Sequence, residues 1–323
     1  MWIPWGKPFA YVWSVLALDK RKASPQRKLS LLRKASLQRK ISFQRKFIQL
    51  LSALIYNANL PGFVSGELYK GSTKGICVPG LNCYSCPGAV GACPLGSLQS
   101  GLSAVPRKFP LYVLGFLLLV GLLLGRLVCG FLCPFGLIQE LFYKIPSPKL
   151  KKNRVTKKLS WLKYAVLVVL VLLIPLWTAI ANGVAVPAFC KYLCPAGTLE
   201  GGFLLAALRP EYRPLLGWLF SWKAALCVLI LVACVFCYRS FCRFLCPLGA
   251  IYGLFNRVAL FAFRIDEDKC TRCGICTRKC LLDVEQLGDR ECIQCGACRA
   301  HCPHDAIYFG NGTFRFAKKK ASK

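Results

Sequence analysis

Four stretches of this chain carry almost no charge and approach the length needed to cross a lipid bilayer. Residues 47–66, 109–125 and 164–181 hold no Asp, Glu, Lys or Arg, and 214–238 holds only Lys223. A helix needs about 20 apolar residues to span the hydrocarbon core, so a polytopic α-helical membrane protein with about four spans is expected. The first run also carries Gln49, Asn57, Asn59 and Pro61, unusual residues for a lipid-facing segment. The opening "MWIPWGKPFAYVWSVLAL" lacks the leading charges and cleavage site of a signal peptide and stays open between an interfacial helix and a further crossing.

The formal charge is +31, and its location matters more than its size. Eleven Lys and Arg lie between Lys20 and Lys46 without one acid, and eight more between Lys144 and Lys163. Basic residues beside spans mark the cytoplasmic side. The N-terminus, 129–163 and everything after 239 are therefore expected inside, and 67–108 and 183–213 outside. This topology suits a cytoplasmic (inner) membrane, with anionic lipid rather than nucleic acid as the partner of the basic blocks. The first block repeats with period six, "RKASPQ", "RKLSLL", "RKASLQ", "RKISFQ". Six residues do not return to one helical face, so a disordered or loosely helical tether at the lipid surface is expected.

Twenty-one cysteines need a chemical reason, and a reducing cytoplasm leaves few of them to disulfides. "CTRCGICTRKC" from Cys270 and "CIQCGACRAHCP" from Cys292 each have the C-x2-C-x2-C-x3-C spacing that binds a 4Fe-4S cluster. The fourth cysteine of each run ligates the other cluster. Cys270, Cys273, Cys276 and Cys302 are thus the candidate ligands of one cluster, and Cys280, Cys292, Cys295 and Cys298 of the second. Gly274 and Gly296 let backbone amides approach the sulfurs, and Leu281 stands where a proline usually follows. Two structural zinc sites are the competing reading, which duplicated runs of this spacing disfavour.

A second cysteine pattern ends the apolar runs. "CGFLCPFGL" (129–137) and "CRFLCPLGA" (242–250) share C-x3-C-P, and Cys-Pro-x-Gly also occurs at Cys93 and Cys194. Proline favours the first position of a helix, so the second cysteine sits near a helix N-terminus, where free amides and the dipole favour a thiolate. Gly136 and Gly249 permit close packing in that first turn. The four Cys-Pro-x-Gly motifs alternate outside, inside, outside, inside on the expected topology, which suggests two repeated halves. Two cysteines from each half supply four ligands, which gives Cys129, Cys133, Cys242 and Cys246 for an inner membrane-face cluster. At the outer face Ala89 takes the place of a first cysteine. Cys86, Cys93, Cys190 and Cys194 are the favoured outer set, with Cys77 and Cys83 as extra ligands or an external disulfide. Cys227, Cys234 and Cys237 share one helical face of the last run and read as packing residues, with a mid-membrane relay as the alternative. Arg126, close to Cys129, either snorkels or offsets cluster charge. His301 and His304 lie outside every span, which removes bis-histidine haem in the bilayer.

The C-x3-C-P motifs in a four-span core, "CVPGLNCYSCPGAVGACPLGSLQ" and the double ferredoxin run together resemble the NapH/NosR-type membrane polyferredoxins over roughly residues 45–310. The resemblance implies an integral membrane iron-sulfur protein carrying electrons between a quinol or cytoplasmic donor and an extracytoplasmic reductase or flavoprotein. It implies redox partner proteins on one or both sides and adds a quinone as a candidate cofactor. No general acid, base or nucleophile constellation appears, so an electron-transfer subunit is expected rather than a stand-alone enzyme. Copper reduction or cofactor assembly, and a membrane-tethered redox sensor, are the alternatives. The expected fold is a helical membrane core of two pseudo-repeated halves with a C-terminal α+β two-cluster ferredoxin domain. The expected divisions are a basic region 1–46, membrane core 47–263, ferredoxin domain 264–310 and basic tail 311–323.

Overall fold

The computed structural model describes residues 25–102, 110–150 and 152–311. The opening apolar stretch, the first residues of the basic repeat and the basic tail after 311 lie outside the described residues. Helix α1 (Pro25–Tyr56) runs the rest of the repeat straight into the first apolar run, so residues 25–44 take the helical of the two expected forms. Its ordering of side chains is inverted for a water-soluble helix. Arg45, Gln49, Ser52 and Tyr56, spaced four, three and four apart, are buried against the protein, while Phe47, Leu50, Leu51, Leu54 and Ile55 are exposed. An apolar face turned outward and a polar face turned inward suit a helix that has lipid as solvent. Asn57 ends α1 by donating to the Ala53 carbonyl (3.0 Å). The expected first span is therefore split, and α2 (Leu60–Ser65) follows as a separate turn.

Helices α3 (Pro94–Gly101), α4 (Leu111–Leu124), α5 (Leu127–Phe131) and α6 (Pro134–Tyr143) complete the first half. The second half comprises α7 (Arg154–Asn182), α8 (Gly197–Leu208), α9 (Trp218–Phe236), α10 (Ser240–Phe244) and α11 (Pro247–Phe255). Among the described residues, α7 and α9 are long and apolar enough to cross a membrane, whereas α4 and α8 are shorter apolar helices. Gly125, at φ +50°, stops α4 after 14 residues in a backbone conformation that suits glycine. On α7, Val168, Leu172, Leu173, Trp177 and Ile180 are exposed, and on α9 so are Val228, Leu229 and Val232. Such contiguous apolar surface is costly in water and natural in a bilayer, so this is a membrane protein.

The packing crosses between the halves. Helix α6 lies on α9, and α11 lies on α4; α1 touches α5 and α6 as α7 touches α10 and α11. Behind this core, β1 (Phe261–Ile265) pairs antiparallel with β2 (Ile307–Asn311), Phe261 facing Asn311 and Ile265 facing Ile307. Between the strands lie two cysteine loops, one carrying the short helix α12 (Ile275–Arg278) and the other a single turn, Ala297–His301.

This ferredoxin-like unit docks on the core through polar side chains. Asn256 donates to the carbonyls of Asp289 (2.6 Å) and Cys292 (2.8 Å). Arg243 pairs with Asp283 (2.5 Å) and Lys163 with Glu291 (2.6 Å). At the seam, a Cβ on Gly130 would stand 2.4 Å from the Ile293 carbonyl oxygen. Gly130→Leu should therefore lever the cysteine loop off the core, at about 1–3 kcal/mol for an overpacked contact. Limited proteolysis checks this: cleavage between residues 264 and 311 should become faster in the variant, and unchanged protection would show that the seam accommodates a side chain.

Candidate metal centres

The Cys-Pro steps share one local design. Cys93, Cys133 and Cys246 are extended residues preceding α3, α6 and α11, each helix beginning with proline, and Cys194 has the same backbone at φ −67°, ψ 109°. The amide of Cys133 bonds to the Val128 carbonyl (3.0 Å), that of Cys194 to Phe189 (3.0 Å) and that of Cys246 to Phe241 (2.9 Å). Each acceptor residue is buried and immediately precedes the first cysteine of its motif. Because proline has no N–H, the next free amides of the turn point at sulfur. Gly197 N–H donates to Cys194 Sγ, and Gly249 N–H to Cys246 Sγ, each at 3.4 Å.

At the inner site the chain brings Cys129, Cys133, Cys242 and Cys246 together, all four buried. Cys133 lies within electrostatic reach of Cys129 and Cys242, and Cys246 within reach of Cys242 and Cys129. Gln139, six residues after Cys133, donates to Cys242 Sγ (2.9 Å) and accepts from the Cys242 amide (3.4 Å). Two buried arginines flank the site. Arg126 donates to the Cys242 carbonyl (3.4 Å), and Arg239, held at φ +50°, to the Cys129 carbonyl (2.5 Å). Arg239 also pairs with Glu140 (2.7 Å), which binds Arg45 (2.6 Å) and the Tyr238 hydroxyl (2.6 Å). Burial alone would raise the Glu140 carboxyl, but Arg239, Arg45 and Tyr238 outweigh it and hold it at about 2.

The outer site follows the same plan. Cys194 lies within reach of Cys190, Cys83 and Cys93, and Cys190 within reach of Cys93 and Cys83. Cys83 lies within reach of Cys93 and also of Cys86, the residue expected in this set. The Cys83 amide donates to Glu200 (2.6 Å), which draws the loop over α8. A Cβ on Gly197 would then stand 3.5 Å from Cys83 Sγ and 3.7 Å from Cys194 Sγ. Cys86 also faces Lys74 and Glu200, and the Cys77 backbone N–H donates a hydrogen bond to the Tyr112 hydroxyl (3.3 Å). Both Cys77 and Cys83 are free thiols. Gln99, six residues after Cys93, donates to Cys190 Sγ (3.4 Å), as Gln139 does at the inner site. Gln99, Gln139 and Arg239 were not singled out from the sequence. Their signal is positional: glutamine six residues after a Cys-Pro cysteine, and arginine three residues before Cys129 and Cys242 alike.

In the ferredoxin-like unit, Cys298 is within reach of Cys295, Cys292 and Cys280, and also of Cys276 on the neighbouring loop. Cys276, Cys280, Cys292, Cys295 and Cys298 line a cavity of about 360 Å³ that Ile41 and Arg45 of α1 close from one side. The loops repeat an unusual backbone, with positive φ at Arg272 and Gly274 in one and at Gln294 and Gly296 in the other. Cys302 Sγ accepts from the Ala306 amide (3.3 Å), and Cys273 is exposed. In the last span, Cys234 lies 3.0 Å from the Ser240 hydroxyl, and Cys237 accepts from Arg243 (3.3 Å).

Among the described residues, no three His, Cys, Asp or Glu side chains close on one point as ligands of a single ion. A cubane asks for a different arrangement, four thiolates each on its own iron, with amide and guanidinium donors around the sulfurs. Thiol-only donor sets beside Gly197, Gly249, Gln99 and Gln139 fit that group.

Residues 109–153, 164–204 and 218–266 match a family described as a 4Fe-4S binding domain, and 289–308 match a second family of the same description. The uncharacterized protein MJ0750 of Methanocaldococcus jannaschii is 30% identical over 213 residues, covering 62% of this chain and 76% of that protein. MJ0749 of the same organism is 30% identical over 168 residues, 50% of this chain and 53% of its own length. The regulatory protein NosR of Stutzerimonas stutzeri is 32% identical over 167 residues, 49% of this chain and 20% of NosR. The chain thus spans about half of MJ0749 and a fifth of NosR. No solved structure matches. With 4Fe-4S domain matches within 109–266 and 289–308, and relatives that include MJ0750 and NosR, this chain is a 4Fe-4S protein of the NapH/NosR-type membrane polyferredoxin family.

Proposed function

We propose that the chain carries single electrons through four 4Fe-4S clusters, from a cytoplasmic or quinol donor to an extracytoplasmic reductase or flavoprotein. The ferredoxin ligands are Cys270, Cys273, Cys276 and Cys302 for one cluster and Cys280, Cys292, Cys295 and Cys298 for the other. The inner cluster takes Cys129, Cys133, Cys242 and Cys246, and the outer Cys83, Cys93, Cys190 and Cys194. The core has four spans in two repeated halves, with the N-terminus and the domain 264–310 on the cytoplasmic side of an inner membrane. The chain acts as an electron-transfer subunit whose redox partners meet it on both faces.

The observation that carries this reading is the continuity of the centres. Gly130, next to Cys129, touches the Ile293 carbonyl, and its Cβ would stand 3.8 Å from Cys295 Cα. The next step runs through neighbouring residues, because the Leu81 amide faces Cys133 while the adjacent Asn82 amide faces Cys93. One peptide unit thus joins an inner sulfur to an outer one. Glutamine and amide donors to sulfur, with burial, tune each potential.

Iron and sulfide analysis with EPR on anaerobically purified protein tests the proposal. About sixteen iron and sixteen sulfide per chain are expected, four of each per cubane. Reductant added to one side of a sealed vesicle should reduce an impermeant acceptor on the other. Iron for two clusters only, bound copper, or no transfer across the vesicle would overturn it.

A further inference from the structure

We infer that Arg126 and Arg239 are a matched pair of cations that set the reduction potential of the inner cluster. The inference rests on the inner ligand set proposed above. Each arginine stands three residues before the first cysteine of its own motif, and each reaches across to the other motif. Arg126 donates to the carbonyl of Cys242 (3.4 Å), and Arg239 to that of Cys129 (2.5 Å). Each also lies over the glycine of the opposite helix turn. A Cβ on Gly249 would be 3.4 Å from Arg126 Nη2, and one on Gly136 3.2 Å from Arg239 Nη1. Both side chains are essentially inaccessible, at 1% and 0% exposure, so water screens neither.

Fold stability alone is a weak reason to keep two such charges, because buried ion pairs seldom outweigh their desolvation. The counterions are too few to cancel them. Arg239 shares Glu140 with Arg45, and Arg126 (3.2 Å) shares Glu291 with Lys163 (2.6 Å), so four cations face two carboxylates. The uncompensated charge meets a cubane that, with four thiolates, is a dianion when oxidised and a trianion after taking up one electron. Fixed positive charge therefore favours the reduced form and raises the potential. Arg126 has a second role in position. It donates to the Arg290 carbonyl (2.6 Å) and pairs with Glu291, the residue before Cys292, so it lies between the inner cluster and the ferredoxin cluster that feeds it. The transfer is of one electron, from the ferredoxin cluster to the inner cubane, with no bond made and no proton moved.

The test is an EPR-monitored redox titration of the full-length protein in detergent, with iron content measured alongside. Arg126→Gln and Arg239→Gln should each lower the inner-cluster midpoint by about 59 mV or more, a tenfold shift in the one-electron equilibrium. Arg239→Lys, which keeps the charge, should shift it by less than half as much. Glu140→Gln should move it upward, an opposite sign that loosened packing does not produce. If a glutamine variant loses the cluster, the Arg239→Lys and Glu140→Gln midpoints still decide. An unmoved midpoint in Arg239→Gln with iron retained, equal shifts in the Lys and Gln variants, or a downward shift in Glu140→Gln would each overturn the inference. No inner signal in the unsubstituted protein would overturn the four-cluster reading, and this inference with it.

Discussion

Cys129→Ser and Cys242→Ser should each remove one and the same cluster, and the double variant should lose nothing more. These residues are 113 positions apart in the chain, yet both are buried at the inner site and within reach of each other. A cubane missing one thiolate is lost or converted, so iron should fall from about sixteen to about twelve per chain in each single variant and stay near twelve in the double. Non-additivity of this kind is expected of residues that serve one site. The ferredoxin signals should persist throughout, because their cysteines lie in a separate pair of loops. Iron near eight in the double variant would mean two centres and would end the two-fold description of the core.

The second large effect separates two neighbouring cysteines. Cys83→Ser should abolish the outer cluster, while Cys86→Ser should leave iron unchanged and alter only the loop around Lys74. The two positions are three residues apart in "CYSC", and what separates them is the pull of Glu200 on the Cys83 amide. Gly201 sharpens the expectation, since a Cβ there would also lie 3.5 Å from Cys83 Sγ. Gly201→Val should therefore reduce outer-cluster occupancy although no cysteine is replaced. Equal loss in Cys83→Ser and Cys86→Ser would show that the loop rearranges when iron is present.

The ferredoxin runs and the grouping of Cys129, Cys133, Cys242 and Cys246 could be proposed from spacing, because a cubane imposes spacing directly on the chain. The outer set could not. Six cysteines competed for four places, and the deciding contact is between residues 83 and 200, which no local pattern reports. The first apolar run was hard to interpret for a related reason. Gln49 reads as a fault in a lipid-facing span, but α1 turns it inward and its leucines outward. The glutamines at 99 and 139 were invisible individually, since a glutamine on an apolar helix carries no meaning until its sulfur partner from the other half is in place. A period of six gives no stripe to choose between the disordered and helical forms expected of residues 25–44, which are helical and continue into the packed segment from Arg45 onward.

The crosswise packing of α6 on α9 and of α11 on α4 means that each half covers part of the other's cysteine helix, beside the cover that α1 and α7 give within their own halves. A chain one half as long would present a surface complementary to itself, and two such chains related by an isologous axis would rebuild the inner site from a pair of identical C-x3-C-P turns. In the proposed repeat Ala89 stands in the place of a cysteine, and the loop carrying Cys83 lies beside Cys93. Exchange of the two halves within the gene should therefore preserve the inner centre, while the outer one stays tied to the segment that carries Cys83.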